Sequence, residues 1–215
     1  MGNLISYSGI TTKIRAMESR LLKDEDYNEL ASMTSISEAV SYLKKQSSYH
    51  DILLNLNEEN LHRGEVEKYI FRSMQADFKK IYKFANLEQR KFLSLYFKRY
   101  EISTLKKFLR IIFNENDVTK SFTTTKRFFK GHSKISIDKA SASLTISELI
   151  ASLKDTDYYN VFLRVEDSNS KTLFDYELAL DHYYFQYFWK NKDKILKGKE
   201  LSDITNVSGY KIDLL

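Results

Sequence analysis

The chain has 215 residues, no cysteine, no proline and six glycines, and its Lys plus Arg exceed its Asp plus Glu by 34 − 29 = 5. The lack of cysteine excludes a disulfide framework and a thiolate metal centre, and the near absence of the two residues that interrupt helices points to an all-α fold. The mild positive balance is spread along the sequence, so it permits an acidic partner or a membrane surface without requiring either, and no apolar run approaches the roughly 20 residues that span a bilayer.

The first predicted helix runs from Leu4 to Leu22, with Ile10, Ile14, Met17, Leu21 and Leu22 spaced by three and four and with Arg15 and Glu18 beside the stripe. Asp24-Glu25-Asp26 opens a short second helix through Leu30, where acidic side chains favour the positive end of the helix dipole. Ser35-Ile36-Ser37-Glu38 reads as a capping box at the start of a helix reaching about Gln46. A long helix follows from Glu58 to Ala85, apolar at Val66, Ile70, Met74, Phe78 and Ile81. Tyr100 to Phe113 continues in helical spacing.

Asn114 to Ser143 is rich in Ser, Thr, Lys and Asn and contains Gly131, the composition of a boundary. Its centre, Lys126 to Lys134, interleaves basic residues with Phe128 and Phe129. That pattern fits either contact with phosphates and bases or a short helix that buries both rings beneath solvated lysines. Thr145-Ile146-Ser147-Glu148 is a second capping box, with Leu144 placed to staple onto Leu149. A last long helix runs from Leu173 to Leu196, carrying Leu173, Tyr176, Leu180, Tyr184 and Phe188 and crowded by further aromatics, as for a helix buried on most of its circumference. Asp175, Glu177 and Asp181 read as a solvated N-terminal turn of this helix.

These elements repeat. Tyr100, Ile102 and Leu105 recur as Tyr210, Ile212 and Leu215, a displacement of 110 positions (210 − 100). The same displacement relates Ile36 to Ile146, Glu38 to Glu148, Leu43 to Leu153, Glu67 to Glu177 and Phe78 to Phe188. Two helical-bundle domains are expected, 1–112 and 113–215, superposable in this register, with the second stopping as its last helix begins.

No glycine-rich phosphate loop is present, and His50, His62, His132 and His182 stand far apart, so the residues nominate no catalytic, cofactor-binding or metal-binding group. What remains is a helical protein that works through binding surfaces.

The letters at this point resemble the C subunit of the V-type and archaeal-type rotary ATPases, the counterpart of the d subunit in eukaryotic V-ATPases. Lys13-Ile14-Arg15-Ala16, Leu21-Leu22, Tyr27 and Leu30 take the places of the family's opening motif. Glu101-Ile102-Ser103-Thr104-Leu105-Lys106-Lys107-Phe108-Leu109-Arg110 is similar to its recurrent segment, with Ser103 where the family usually has Asp. Tyr210 to Leu215 looks like the next occurrence, and Leu153, Thr156 and Tyr158 match the motif before the second long helix.

The resemblance implies a funnel of three related helical domains, of which two are accounted for here. It implies a non-catalytic adaptor without a cofactor, coupling the central shaft subunits to the membrane rotor ring for ion transport driven by ATP hydrolysis or for ATP synthesis. Such a protein sits peripherally on the cytoplasmic side of a membrane, without inserting in it, binding nucleic acid or forming a homo-oligomer. Arg15, Arg110, Tyr210, Ile212 and Leu215 are the candidate partner contacts. The rival readings are a helical scaffold and a nucleic-acid-binding protein.

Overall fold

The computed structural model describes residues 2–54, 56–57, 61–114, 122–195 and 206. Among them every regular element is a helix: α1 (Gly2–Glu18), α2 (Asp24–Ser32), α3 (Ile36–Lys45), α4 (His50–Leu53), α5 (Arg63–Phe84), α6 (Leu87–Phe113), α7 (Thr123–Phe129), α8 (Ile137–Ser141), α9 (Ile146–Ser152), α10 (Tyr158–Glu166) and α11 (Leu173–Ile195). The all-α class expected from the missing breakers is the observed one. The expected start of the long helix at Glu58 and end of the last at Leu196 lie outside the described residues.

In both capping boxes the cap side chain makes its expected bond. Ser35 Oγ accepts from the Glu38 amide at 3.1 Å and Thr145 Oγ1 from the Glu148 amide at 3.2 Å. Each glutamate reaches one residue further back than the expected reciprocal contact: its carboxylate accepts from the amide of Thr34 (3.1 Å) or Leu144 (2.8 Å), the residue before the cap. The hydrophobic staple does not form, since Leu144 is 67% exposed while Leu149 is fully buried. Helix α11 is capped by Thr172 and Asp175. The Asp175 carboxylate accepts from the Thr172 hydroxyl at 2.6 Å, the Ser170 hydroxyl at 2.7 Å and the Thr172 amide at 2.8 Å, which hold that carboxyl below its ordinary pKa.

By packing, the chain forms two compact units, 1–86 and 87–215. In the first, Val40, Leu43, Leu53, Leu56 and Val66 form a core lined by Leu22, Leu30, Tyr49, Leu61 and Tyr69. Asp26 ties α2 to α3 by accepting from the Tyr42 hydroxyl at 2.6 Å and from Gln46 Nε2 at 3.2 Å. Helix α5 also packs against α1, where Lys13 lies over the Phe84 ring.

The second unit is organised on α6, which is longer than the stretch from Tyr100 that the sequence marked. It packs along α11, and α10 packs on α11 in turn. Ile102, Leu105, Phe108 and Leu109 are buried on α6, as are Phe128 and Phe129 on α7. The Phe97 ring sits 5.0 Å from Phe128 and 5.4 Å from Phe129, centre to centre. The two phenylalanines of the Lys126–Lys134 stretch are therefore core residues, and Lys126 is paired with Asp138 at 2.5 Å. After α7 the chain turns at Gly131, whose φ of 80° suits a residue without a Cβ.

The 110-position register relates Val40 to Ile150, Leu43 to Leu153, Val66 to Tyr176 and Phe78 to Phe188, and all eight are buried. Two stripes depart from expectation. On α5, Ile70 and Met74 are exposed although they belong to the apolar row, and on α11 Phe174, Leu178 and Trp189 are exposed, so that helix keeps an open side. Each long helix is covered by a limited set of neighbours, and an apolar row longer than those neighbours can reach stays partly outside.

Phe78→Ala and Phe188→Ala should each lower unfolding free energy by about 3–5 kcal/mol in urea titrations, as for an enclosed ring replaced by a cavity. Gln75 is buried and its Nε2 has no hydrogen-bond partner, where the register places Phe185 in the second copy. Gln75→Leu should therefore raise stability by about 1 kcal/mol, read as a higher urea midpoint at unchanged slope.

Candidate functional site

Along α6, charged and phenolic side chains make two sets of contacts, one with α11 and one with α11 and the start of α10. The sequence places Lys106 and Arg110 four residues apart on α6, and Glu177 and Asp181 four apart on α11. One helical turn separates the members of each pair, so antiparallel helices bring both pairs into register at once. Lys106 Nζ meets Asp181 at 2.6 Å. Arg110 grips Glu177 with two bonds, Nε to Oε1 at 2.6 Å and Nη2 to Oε2 at 3.0 Å. A planar guanidinium held in two places fixes orientation as well as distance.

This bond holds the Glu177 carboxyl below its ordinary pKa, the hydrogen bond from Arg110 being the largest cause. A depressed carboxylate contributes stability that is complete above the ordinary glutamate pKa. The contribution is lost as pH falls through the lowered value.

About two turns from Lys106 toward the α6 N-terminus, Lys98 is enclosed. Its Nζ lies 5.1 Å from the ring centre of Tyr158, 5.9 Å from Tyr183 and 4.8 Å from Tyr187, with Asp157 at 3.3 Å and Glu101 at 3.5 Å. Glu101 is buried, and the buried Tyr158 hydroxyl donates to its Oε2 at 2.7 Å. The Tyr183 hydroxyl donates to Asp157 at 3.1 Å. Removing these groups from water is costly, and the cluster offsets that cost because each charge has an opposite charge or donor beside it.

Burial, reinforced by Glu101, pushes the Tyr158 phenol far above its ordinary pKa, so it serves as a donor. Burial likewise raises Tyr183, with Asp157 adding to it. Asp157 itself is pushed up by burial, but the Lys98 charge and hydrogen bond outweigh that and hold its carboxyl low.

The residues nominated from sequence fare differently. Arg110 is bound to Glu177 inside the unit. Arg15 is exposed on α1. Tyr210, Ile212 and Leu215 lie outside the described residues. Glu177 and Asp181, expected in a solvated turn, instead anchor α6, because the neighbouring helix supplies cations at matching spacing. Sequence reasoning missed Lys98 and Asp157, and the four-residue spacing shared by the basic and acidic pairs was the available signal for the rest of the seam. Glu101 and Tyr158, drawn from two separate motifs of the resemblance, meet here as acceptor and donor.

Among the described residues no helix is long and apolar enough to cross a membrane, and no group of three or more His, Asp or Glu side chains is placed to hold a metal ion. The chemistry of these contacts is mutual neutralisation of charge, with Glu101 buried among them. Its consequence is that α6 cannot slide or rotate along α11 without breaking several charged contacts together.

Tyr158→Phe leaves the buried Glu101 without its hydroxyl donor and should cost about 1–3 kcal/mol of stability by urea titration, with the helical signal of the native state unchanged.

The family model of the ATP synthase (C/AC39) subunit matches residues 10–215. The C subunit of the A-type ATP synthase of Methanocaldococcus jannaschii is 26% identical over 218 aligned positions, covering 99% of this chain and 53% of that protein. The proteins of the same name from Methanosarcina mazei and Methanosarcina acetivorans are 27% and 26% identical, covering 84% and 83% of this chain and 48% of each of theirs. The chain thus spans about half the length of the curated relatives it matches. No solved structure matches it. With the family match running from residue 10 to residue 215, the chain belongs to the ATP synthase (C/AC39) subunit family.

Proposed function

We propose that this chain acts within a rotary ATPase as a non-catalytic adaptor of the central stalk, joining the rotating shaft to the membrane rotor ring. The observation that carries this reading is the family match across residues 10–215, together with relatives named as the C subunit of A-type ATP synthases. The α6 seam supports it physically. An adaptor transmitting torque must resist shear between its helices, and the Arg110–Glu177 and Lys106–Asp181 pairs and the contacts of Lys98 with the Tyr183 and Tyr187 rings all oppose sliding of α6 on α11. Segments that carry the resemblance, Glu101 to Arg110 and Leu153 to Tyr158, thereby serve rigidity in this reading.

Partner contacts would fall on exposed positions such as Arg15, with Tyr210, Ile212 and Leu215 as further candidates and Arg110 contributing only the part of its side chain that Glu177 leaves open. The sequence repeats 1–112 and 113–215 are proposed as the evolutionary units, the first lending its last helix to the packing of the second. The site of action would be peripheral, on the cytoplasmic side of the membrane.

The test is a pull-down in which the tagged chain is offered the shaft subunits and the detergent-solubilised rotor ring of the same organism's rotary ATPase. Retention of shaft and ring is the expected outcome. Retention of neither, under conditions where the chain is folded, would overturn the proposal.

A further inference from the structure

The register that relates α5 to α11 exposes a difference between them. On α11, Glu177, Leu180 and Tyr184 fall at i, i+3 and i+7 and so form one stripe. This is the stripe that α6 covers. Arg110 takes Glu177, whose side chain keeps 20% exposure, and Leu180 is fully buried at 0%. The positions 110 residues earlier on α5 are Glu67, Ile70 and Met74, the same acid followed by two apolar side chains.

Here the stripe is open. Glu67 keeps 59% exposure, Ile70 37% and Met74 41%. Lys13 of α1 lies over the Phe84 ring, at the C-terminal end of α5. Among the described residues Glu67 is paired with Arg63, one turn back and itself 84% exposed, a contact of the kind that contributes little and exchanges readily.

We propose that Glu67, Ile70 and Met74 form a docking face for an α-helix of a partner protein, one with the chemistry of α6. That helix would lay an apolar row over Ile70 and Met74 and place an arginine against Glu67, as α6 places Arg110 against Glu177. The occupant is specified by the second copy of the same stripe, where the covering helix is present, and by the acid that both stripes carry. The inference rests on the internal repeat and holds whether or not the chain joins shaft to ring.

The probe is a labelled synthetic peptide of residues 96–113, the covering helix itself, titrated into the full chain by fluorescence anisotropy. The chain's own α6 is tethered to α11 and outcompetes a free copy there, so added peptide reports on the open stripe. Saturable binding is expected. Glu67→Lys should weaken it by about tenfold and Ile70→Glu by at least as much, because a charged pair and an apolar contact are lost. A peptide with Arg110→Glu should bind the Glu67→Lys chain more tightly than it binds the wild type. Both substituted residues are exposed, and circular dichroism checks that each variant is folded. No binding, or binding that Glu67→Lys and Ile70→Glu leave unchanged, would overturn the proposal.

Discussion

The second unit depends on one constraint: α6 is placed against α11 by charges that cannot be relocated independently. Two cations four residues apart meet two carboxylates four residues apart, and a third cation is enclosed by three phenol rings and two carboxylates. An apolar interface alone would tolerate small sliding, since one aliphatic contact is readily exchanged for another. Charged pairs do so less readily, because a shift of one residue separates both pairs at once. The apolar residues of α6 supply most of the burial, and the charges select one register among those that would bury similar area.

The enclosure of Lys98 shows how such a cluster is made tolerable. Asp157 and Glu101 approach the ammonium from the start of α10 and from α6, and the rings of Tyr158, Tyr183 and Tyr187 present their negative faces to it. Tyr158 contributes twice, its ring to Lys98 and its hydroxyl to Glu101. The high pKa of that phenol keeps the donor proton in place across the physiological range. Three helices are joined through side chains that distant parts of the sequence supply, which suits a part whose proposed task is to carry mechanical load.

Repeat and packing divide the chain at different places. The expected division counts Tyr100 to Ile112 with the first unit, whereas by contact α6 belongs to the unit 87–215. The two divisions answer different questions. A sequence register records which segments share an origin or a template, and packing records where apolar surface is removed from water.

What the sequence determined by itself was local. The lack of proline and the scarcity of glycine left helix as the backbone's consistent choice, and the Ser35 and Thr145 caps placed two helix starts. These follow from chemistry within a turn or two of the chain, which spacing reveals. Tertiary structure alone decided the rest: that Glu177 and Asp181 anchor a helix instead of facing water, that Phe128 and Phe129 belong to a core, that Leu144 staples nothing, and that Ile70 and Met74 stay open where Leu180 is closed. The physical reason is common to all of them. The spacing of side chains along a helix defines a face, but the free energy of that face depends on what lies against it, and the opposing surface comes from residues tens of positions away.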